Sequence, residues 1–415
     1  MMKINQKSKA SSPQARVSVN WILILCLIVT VCSVIRYERF AVKRHFGDFH
    51  VYYVTGEKVL HGESIYVDEE GILTPYKYSP LVASLFAVLA VFPEPLAAGI
   101  WHVFNLLFLI GAAWISVGLI LKSQMEKQKS KPLFLVAFFS ILGIAPAILH
   151  CLNSGQVGIA ILFLFVLGVY WEERGKGSRA AFFFALSAMF KLTPLIIFPY
   201  FIFRKRFSFA MFFLGWFALF HFLPAVWLGW EQNLLDVKRF LPFLASTTLD
   251  HVSFLDFKNQ SVWAYFYRLF FYDLGFFEIK NHPHWLFWAG AVFFVVLYAS
   301  ILFSKTGDER LRLIIDCALL SILVVIFNPN AWKHNFVMLL FPYAALLAQA
   351  SKAQWKNWAM LLSICIFLLF LVSNRTLIGW GARFDIMSLS SLLLAALSLF
   401  VSLVFVKRMY DSAST

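Results

Sequence analysis

A lone carboxylate, Asp48, stands in the run Phe46-Gly47-Asp48-Phe49-His50-Val51-Tyr52-Tyr53, just past the first long apolar stretch. A carboxylate among aromatics at a membrane surface suits a general base that takes a proton from an attacking hydroxyl. The same residue suits a helix N-cap, because Phe49 to His61 reads as a helix stopped by Gly62. Both roles coexist if one oxygen stays open. Lys191 lies between two apolar runs and is followed by Thr193 and Pro194. It is either a lysine snorkelling to the nearest interface or a cation on a broken helix that neutralises a lipid phosphate. In the second case Arg268 could add bidentate hydrogen bonds.

Lys77, between Tyr76 and Tyr78, is a candidate of the same kind. The turn Asn328-Pro329-Asn330-Ala331-Trp332-Lys333-His334-Asn335 pairs an aromatic face with an imidazole. Trp332 reads as an interfacial anchor or as a surface for stacking a sugar, with His334 hydrogen-bonding a sugar or phosphate. Gln156 sits in Asn153-Ser154-Gly155-Gln156, which is also a plain interhelical turn. With Asn259, His50 and Tyr52 these residues form the substrate-binding set, and Asp48 is the catalytic candidate. Asn259-Gln260-Ser261 and Asn374-Arg375-Thr376 match the N-glycosylation pattern, a tripeptide that is frequent by chance.

The elements that position these residues are membrane helices. Hydrophobic residues make up 60% of the 415 positions, charged residues 14%, and phenylalanine alone contributes 47. That composition is outside the soluble range and defines a polytopic membrane protein. Apolar segments recur from Trp21 to Val406 with no Gly/Ser/Pro-rich linker, so one all-α helical bundle is expected. The net charge of +14 comes from Lys and Arg that punctuate the apolar runs, which argues for topology and against nucleic acid as a partner. The five cysteines show no CxxC or Cys/His cluster, so neither a disulfide framework nor a zinc site is supported.

Val19 to Ile35 follows a basic head without a small-residue cleavage signature and reads as a retained signal anchor. Residues 1–18 then form a cytoplasmic tail, 19–406 the transmembrane domain and 407–415 a second cytoplasmic tail. Within the domain, 36–95 is the first outer loop and 231–283 a second large outer segment. Tyr78 to Phe92 is shorter than the roughly 20 residues a crossing needs and reads as a juxtamembrane or re-entrant helix. Leu96 to Leu121 is long enough to cross. Both basic loops, Glu172 to Lys176 and Arg204 to Arg206, are cytoplasmic only if Ala180 to Phe203 is a hairpin that breaks at Lys191-Leu192-Thr193-Pro194. The polar candidates then gather on the outer face, whereas a transporter or flippase of lipid-linked saccharides, the alternative reading, predicts ionisable residues toward both faces. No fixed-period repeat supports an inverted-repeat transporter.

In this order, Gly47-Asp48-Phe49 to Tyr53, Gly62-Glu63-Ser64-Ile65-Tyr66, Tyr76-Lys77-Tyr78-Ser79-Pro80, Asn153 to Gln156, Lys191-Leu192-Thr193-Pro194, Asn259-Gln260-Ser261 to Arg268, and Asn328-Pro329 to His334 resemble glycosyltransferase family 87. The resemblance covers about Phe46 to Tyr343. It implies a GT-C type fold, an all-α polytopic bundle of about 12 transmembrane helices with juxtamembrane helices in the first outer loop. It also implies direct displacement at the anomeric carbon of a polyprenyl-phosphate sugar such as mannose, toward a glycolipid or glycan acceptor. Asp48 matches the acidic residue of the first outer loop, Lys191 is similar to the basic residue near the donor phosphate, and His334 matches the histidine of the Trp-containing turn. No cofactor is expected, and no metal, because the outer side has no DxD-type pair. The implied setting is the bacterial inner membrane, with the active site toward the periplasm or exterior and lipids as its other partners.

Overall fold

The computed structural model describes residues 47–66, 76–122, 133–248, 251–271, 284–303, 308–350, 356–371, 373, 379, 387 and 389–412. The expected signal anchor and Asn374-Arg375-Thr376 lie outside the described residues. Those described form helices, turns and short connections, so the all-α class holds. In chain order the helices are α1 (Asp48–Leu60), α2 (Pro80–Ala90), α3 (Glu94–Lys122), α4 (Leu133–Gly143), α5 (Ala145–Ser154) and α6 (Gly158–Glu173). Next come α7 (Gly177–Phe190), α8 (Ile197–Phe203), α9 (Phe207–Phe222), α10 (Ala225–Leu228), α11 (Trp230–Thr248), α12 (His251–Leu255) and α13 (Val262–Phe271). The last are α14 (His284–Phe303), α15 (Glu309–Ile326), α16 (Leu340–Ala350), α17 (Lys356–Leu371) and α18 (Ser391–Ser412).

Three helical stretches among the described residues are long and apolar enough to cross a bilayer: Glu94–Ile120, Phe207–Leu228 and Ser391–Arg408. The pair α4 and α5, bent by 66°, is a broken span or a re-entrant loop, where Pro146 allows a new helix to start but not the old one to continue. Shorter apolar helices, including α2 and both limbs around Lys191, fill out the bundle. At 1.5 Å per residue α2 reaches roughly 16 Å, about half a hydrocarbon core. That length agrees with a juxtamembrane or re-entrant segment.

The expected break is present. α7 ends at Phe190, Lys191 is extended (φ −159°, ψ 133°), and a 3-10 turn over Thr193–Ile196 leads into α8. Pro194 lacks an amide hydrogen and its ring excludes a continuous helix, so the chain must reorganise there. The two limbs return to one end of the molecule, because Arg206 after α8 pairs with Glu172 before α7.

That end is an ion-pair cluster. Glu173 meets Arg310 at 2.7 Å, and Asp316 on α15 is buried against Lys407 of α18, Arg204 (2.8 Å) and the Tyr200 hydroxyl (2.9 Å). One carboxylate thus ties the hairpin and the last helix to α15. Breaking a buried charge network leaves the remaining charges without compensation. Asp316→Ala should therefore lose about 3–5 kcal/mol of stability, read as a fall in the thermal unfolding midpoint in nanodiscs. Adding Lys407→Met should recover much of the loss, and an unchanged midpoint in the single variant would dismiss the network as a stabilising element.

Candidate active site

At the opposite end, α1 begins on Asp48. Gly47, at φ 56°, takes the N-cap position, a left-handed conformation that glycine reaches without a Cβ clash. The capping alternative for Asp48 is thereby replaced: the carboxylate sits half-buried in the first turn, where the helix dipole still favours a negative charge. One turn on, the same helix face presents Tyr52. Its buried hydroxyl lies 2.8 Å from that of Tyr78 and 3.0 Å from Gln156 Oε1, and the Tyr78 hydroxyl lies 3.2 Å from the same oxygen. Burial pushes both phenols up, and the Asp48 charge adds to it. Both tyrosines therefore remain protonated donors.

One tyrosine hydroxyl donates to the other and the remaining hydrogen goes to Oε1, which fixes the amide of Gln156 and leaves its nitrogen a donor with no partner among the described residues. The local turn makes this possible. α5 ends on Gly155 in the left-handed conformation (φ 64°), Gln156 N–H returns to the Cys151 carbonyl, and Trp101 Nε1 donates to the Gly155 carbonyl at 2.7 Å.

The segment Tyr76 to Pro80 is tied down at several points. Tyr76 donates to the Ser79 carbonyl (3.0 Å), Tyr66 to the Tyr78 carbonyl, and Ser79 Oγ to the Met189 carbonyl in the last turn of α7 (2.8 Å). Helix ends leave such carbonyls open. The consequence is electrostatic: Lys77 is brought near Lys191, and burial together with the Lys77 charge pulls the Lys191 ammonium down to about 8. Lys191 Nζ donates to Asn335 Oδ1 at 3.0 Å, which joins the hairpin tip to the Asn328–Asn335 turn. Two half-buried lysines facing one region make a site for an anion.

His334 stacks on His150 with ring centroids 5.7 Å apart and 27° between planes. Burial, His150 and Lys191 hold the His334 imidazole well below its usual range, so it is neutral. Its Nδ1 is buried without a hydrogen bond among the described residues. Thus Asp48, Tyr52, Gln156, Lys77, Lys191 and His334 belong to one end-face cluster.

The other expected residues are used differently. His50 is two positions from Asp48, on the opposite face of α1, where Nδ1 is 2.7 Å from Glu94 Oε1. Asn259 receives Ser261 N–H and Ala331 N–H on Oδ1 and donates to the Ser253 and Pro329 carbonyls. Its amide has nothing left for a substrate. Arg268 donates to the Asp256 (3.0 Å) and Asn259 (2.8 Å) carbonyls and to Ser390 Oγ (2.7 Å). Its forks hold the chain in place of the expected phosphate contact. Trp332 is half-buried with the Lys258 ammonium 5.7 Å from its ring centroid, so a cation already lies over the ring proposed for sugar stacking. The sequence reading did not single out Tyr78, His150 and Asn335 as site residues. Tyr78 and Asn335 stood inside named motifs, and His150 is one helical turn before Asn153.

The sequence model of glycosyltransferase family 87 matches residues 76–329, more than half of the chain. The polyprenol-phosphate-mannose-dependent alpha-(1-2)-phosphatidylinositol mannoside mannosyltransferase of Mycolicibacterium smegmatis is 24% identical over 344 residues, 74% of this chain and 71% of its own. Asp48 and His334 lie outside the family-matched segment and join the cluster through the geometry.

The cluster depends on how α1 seats on α2. A Cβ at Gly56 would come within 2.8 Å of Phe86 main-chain atoms and 2.9 Å of Ala87 N, so the two backbones touch. Gly56→Ala should push α1 away, cost about 1–3 kcal/mol and separate Tyr52 from Gln156. A lowered unfolding midpoint with reduced activity is the expected readout. Full stability and activity would deny the contact its positioning role.

Proposed function

The chain belongs to glycosyltransferase family 87, and from that premise we propose that it transfers a sugar, mannose in the first instance, from a polyprenyl-phosphate donor to a glycolipid acceptor. The observation that carries this reading is Lys191, with Lys77 electrostatically near it, two residues before Thr193 at an apolar cavity. The cavity, of about 390 Å³, begins at Thr193 and is lined by Ile196, Pro199, Phe294, Tyr298, Leu323, Val324 and Phe327. A phosphate carrying an isoprenoid chain has both chemistries: an anion for the lysines and a hydrocarbon for the groove. The donor named for the mycobacterial relative has this composition.

In the proposed reaction the acceptor hydroxyl attacks the anomeric carbon while Asp48 takes its proton. The bond from that carbon to the phosphate oxygen breaks, and its electron pair leaves with the lipid phosphate. The leaving group gains one negative charge in this step, which is where two preorganised cations act most strongly. Lys191 and Lys77 carry that role, and the fixed amide nitrogen of Gln156 donates to a sugar or acceptor oxygen. Neutral His334 contributes a hydrogen bond without adding charge. A single displacement inverts the anomeric centre. The cation-rich cluster of Arg204, Arg206, Arg310 and Lys407 at the other end supports a cytoplasmic placement for that end, with Asp48 outside, toward the periplasm of a bacterial inner membrane.

With purified protein, polyprenyl-phosphate mannose and a glycolipid acceptor, Asp48→Asn should reduce kcat by about 10²–10⁴-fold while donor binding persists. Transfer from no polyprenyl-phosphate sugar would remove the donor assignment, and a fully active Asp48→Asn would remove the base. The pH profile gives a separate check. Lys191 is charged below about 8 and loses its proton above it, so kcat/KM should fall as pH rises through that value. Lys191→Arg keeps its charge throughout and should shift the alkaline limb upward. An identical limb in both proteins would assign it to another group.

A further inference from the structure

The chain leaves the apolar stretch Phe207–Leu228 through Gly229 (φ 76°) and enters α11. The inward side of α11 carries Phe240 and two polar groups: Asn233 donates to the His221 carbonyl at 3.0 Å, and Asp236 receives Ser64 Oγ (3.2 Å) and Gln232 Nε2 (3.1 Å). The exposed side carries Trp230 (60% exposed) and Leu241 (59%), preceded by Val226 (75%) and Trp227 (55%) on α10. Lys238 and Arg239 are exposed on that side too. Apolar and cationic groups outward, with polar groups inward, fit a helix lying in a membrane interface. α10 packs on α1 and α11 on α2, which places this surface at the Asp48 end of the bundle.

We propose that α10 and α11 form a second lipid site, which takes the anionic headgroup of a phospholipid of the surrounding leaflet on Lys238 and Arg239, with Trp227 and Trp230 at the acyl boundary. Charge decides the occupant. On the exposed arc of α11 the outward charges are Lys238, Arg239 and Glu231; Asp236 faces inward, held by Ser64 and Gln232, and meets only the Arg239 charge from behind. A zwitterionic headgroup offers no net charge for the two cations, whereas an anionic one does.

The site also reaches the catalytic end. Arg239 donates to Ser64 Oγ at 3.0 Å, and two residues on, Tyr66 donates to the Tyr78 carbonyl and stacks on Phe240 with centroids 5.9 Å apart. A headgroup on Arg239 therefore bears on the loop that carries Lys77 and Tyr78. The binding claim does not rest on the glycosyl-transfer reading, because it is measured without donor or acceptor.

The test uses the full chain in nanodiscs of phosphatidylcholine with and without phosphatidylglycerol, with retained lipid counted by native mass spectrometry. Wild type should retain phosphatidylglycerol in preference to phosphatidylcholine. The Lys238→Gln, Arg239→Gln double variant should bind it on the order of ten- to thirty-fold more weakly. Lys238→Arg with Arg239→Lys, which keeps both charges, should retain binding and controls for folding. Equal retention of the two lipids by wild type, or undiminished phosphatidylglycerol on the double Gln variant, overturns the proposal.

Discussion

Pro194 cannot complete a helix, and the arrangement of the candidate site follows from that. The limb that starts at Gly177 has to stop before it, which leaves Lys191 extended at a tip instead of inside a hydrogen-bonded turn. A lysine in such a place needs oxygen ligands or an anion, since an unmatched ammonium away from water is costly. The chain supplies one ligand, the Asn335 amide oxygen. Lys77, brought in by the Ser79 to Met189 hydrogen bond, adds a second positive charge near the tip.

The far end is the complement of this. There carboxylates and cations satisfy one another: Glu172 with Arg206, Glu173 with Arg310, and Asp316 with Lys407 and Arg204. There each buried carboxylate has a cation beside it, whereas at the Asp48 end two lysines come near each other.

Much of this was legible from the residues. Chain-length arithmetic marked Leu96 to Leu121 as long enough to cross, and Pro194 between two short apolar runs marked the break. Asp48 was visible because carboxylates are scarce in so apolar a chain. What escaped was tertiary hydrogen bonding between distant segments. Nothing near Asn259 or Arg268 announces Pro329 or Ser390 as partners, so two polar residues that hold loops together read as ligand contacts. His50 differs from these: helical periodicity puts it across the axis from Asp48 and Tyr52, beside Glu94. The cap went to Gly47 because a positive φ was needed there, which sequence alone marks only as a glycine next to an acid.

The contact of Gly56 with Phe86 and Ala87 has a mechanical meaning. It lies about 12 Å along the axis from Asp48, so it acts as the fulcrum of a lever whose far end is the proposed base. A tilt of about 10° there would carry the carboxylate by about 2 Å. Main chain resting on main chain has no rotamers through which to relax. The angle of the lever is therefore insulated from drift in the surrounding side chains, and the aromatic packing around α1 can vary through evolution while the carboxylate keeps its aim.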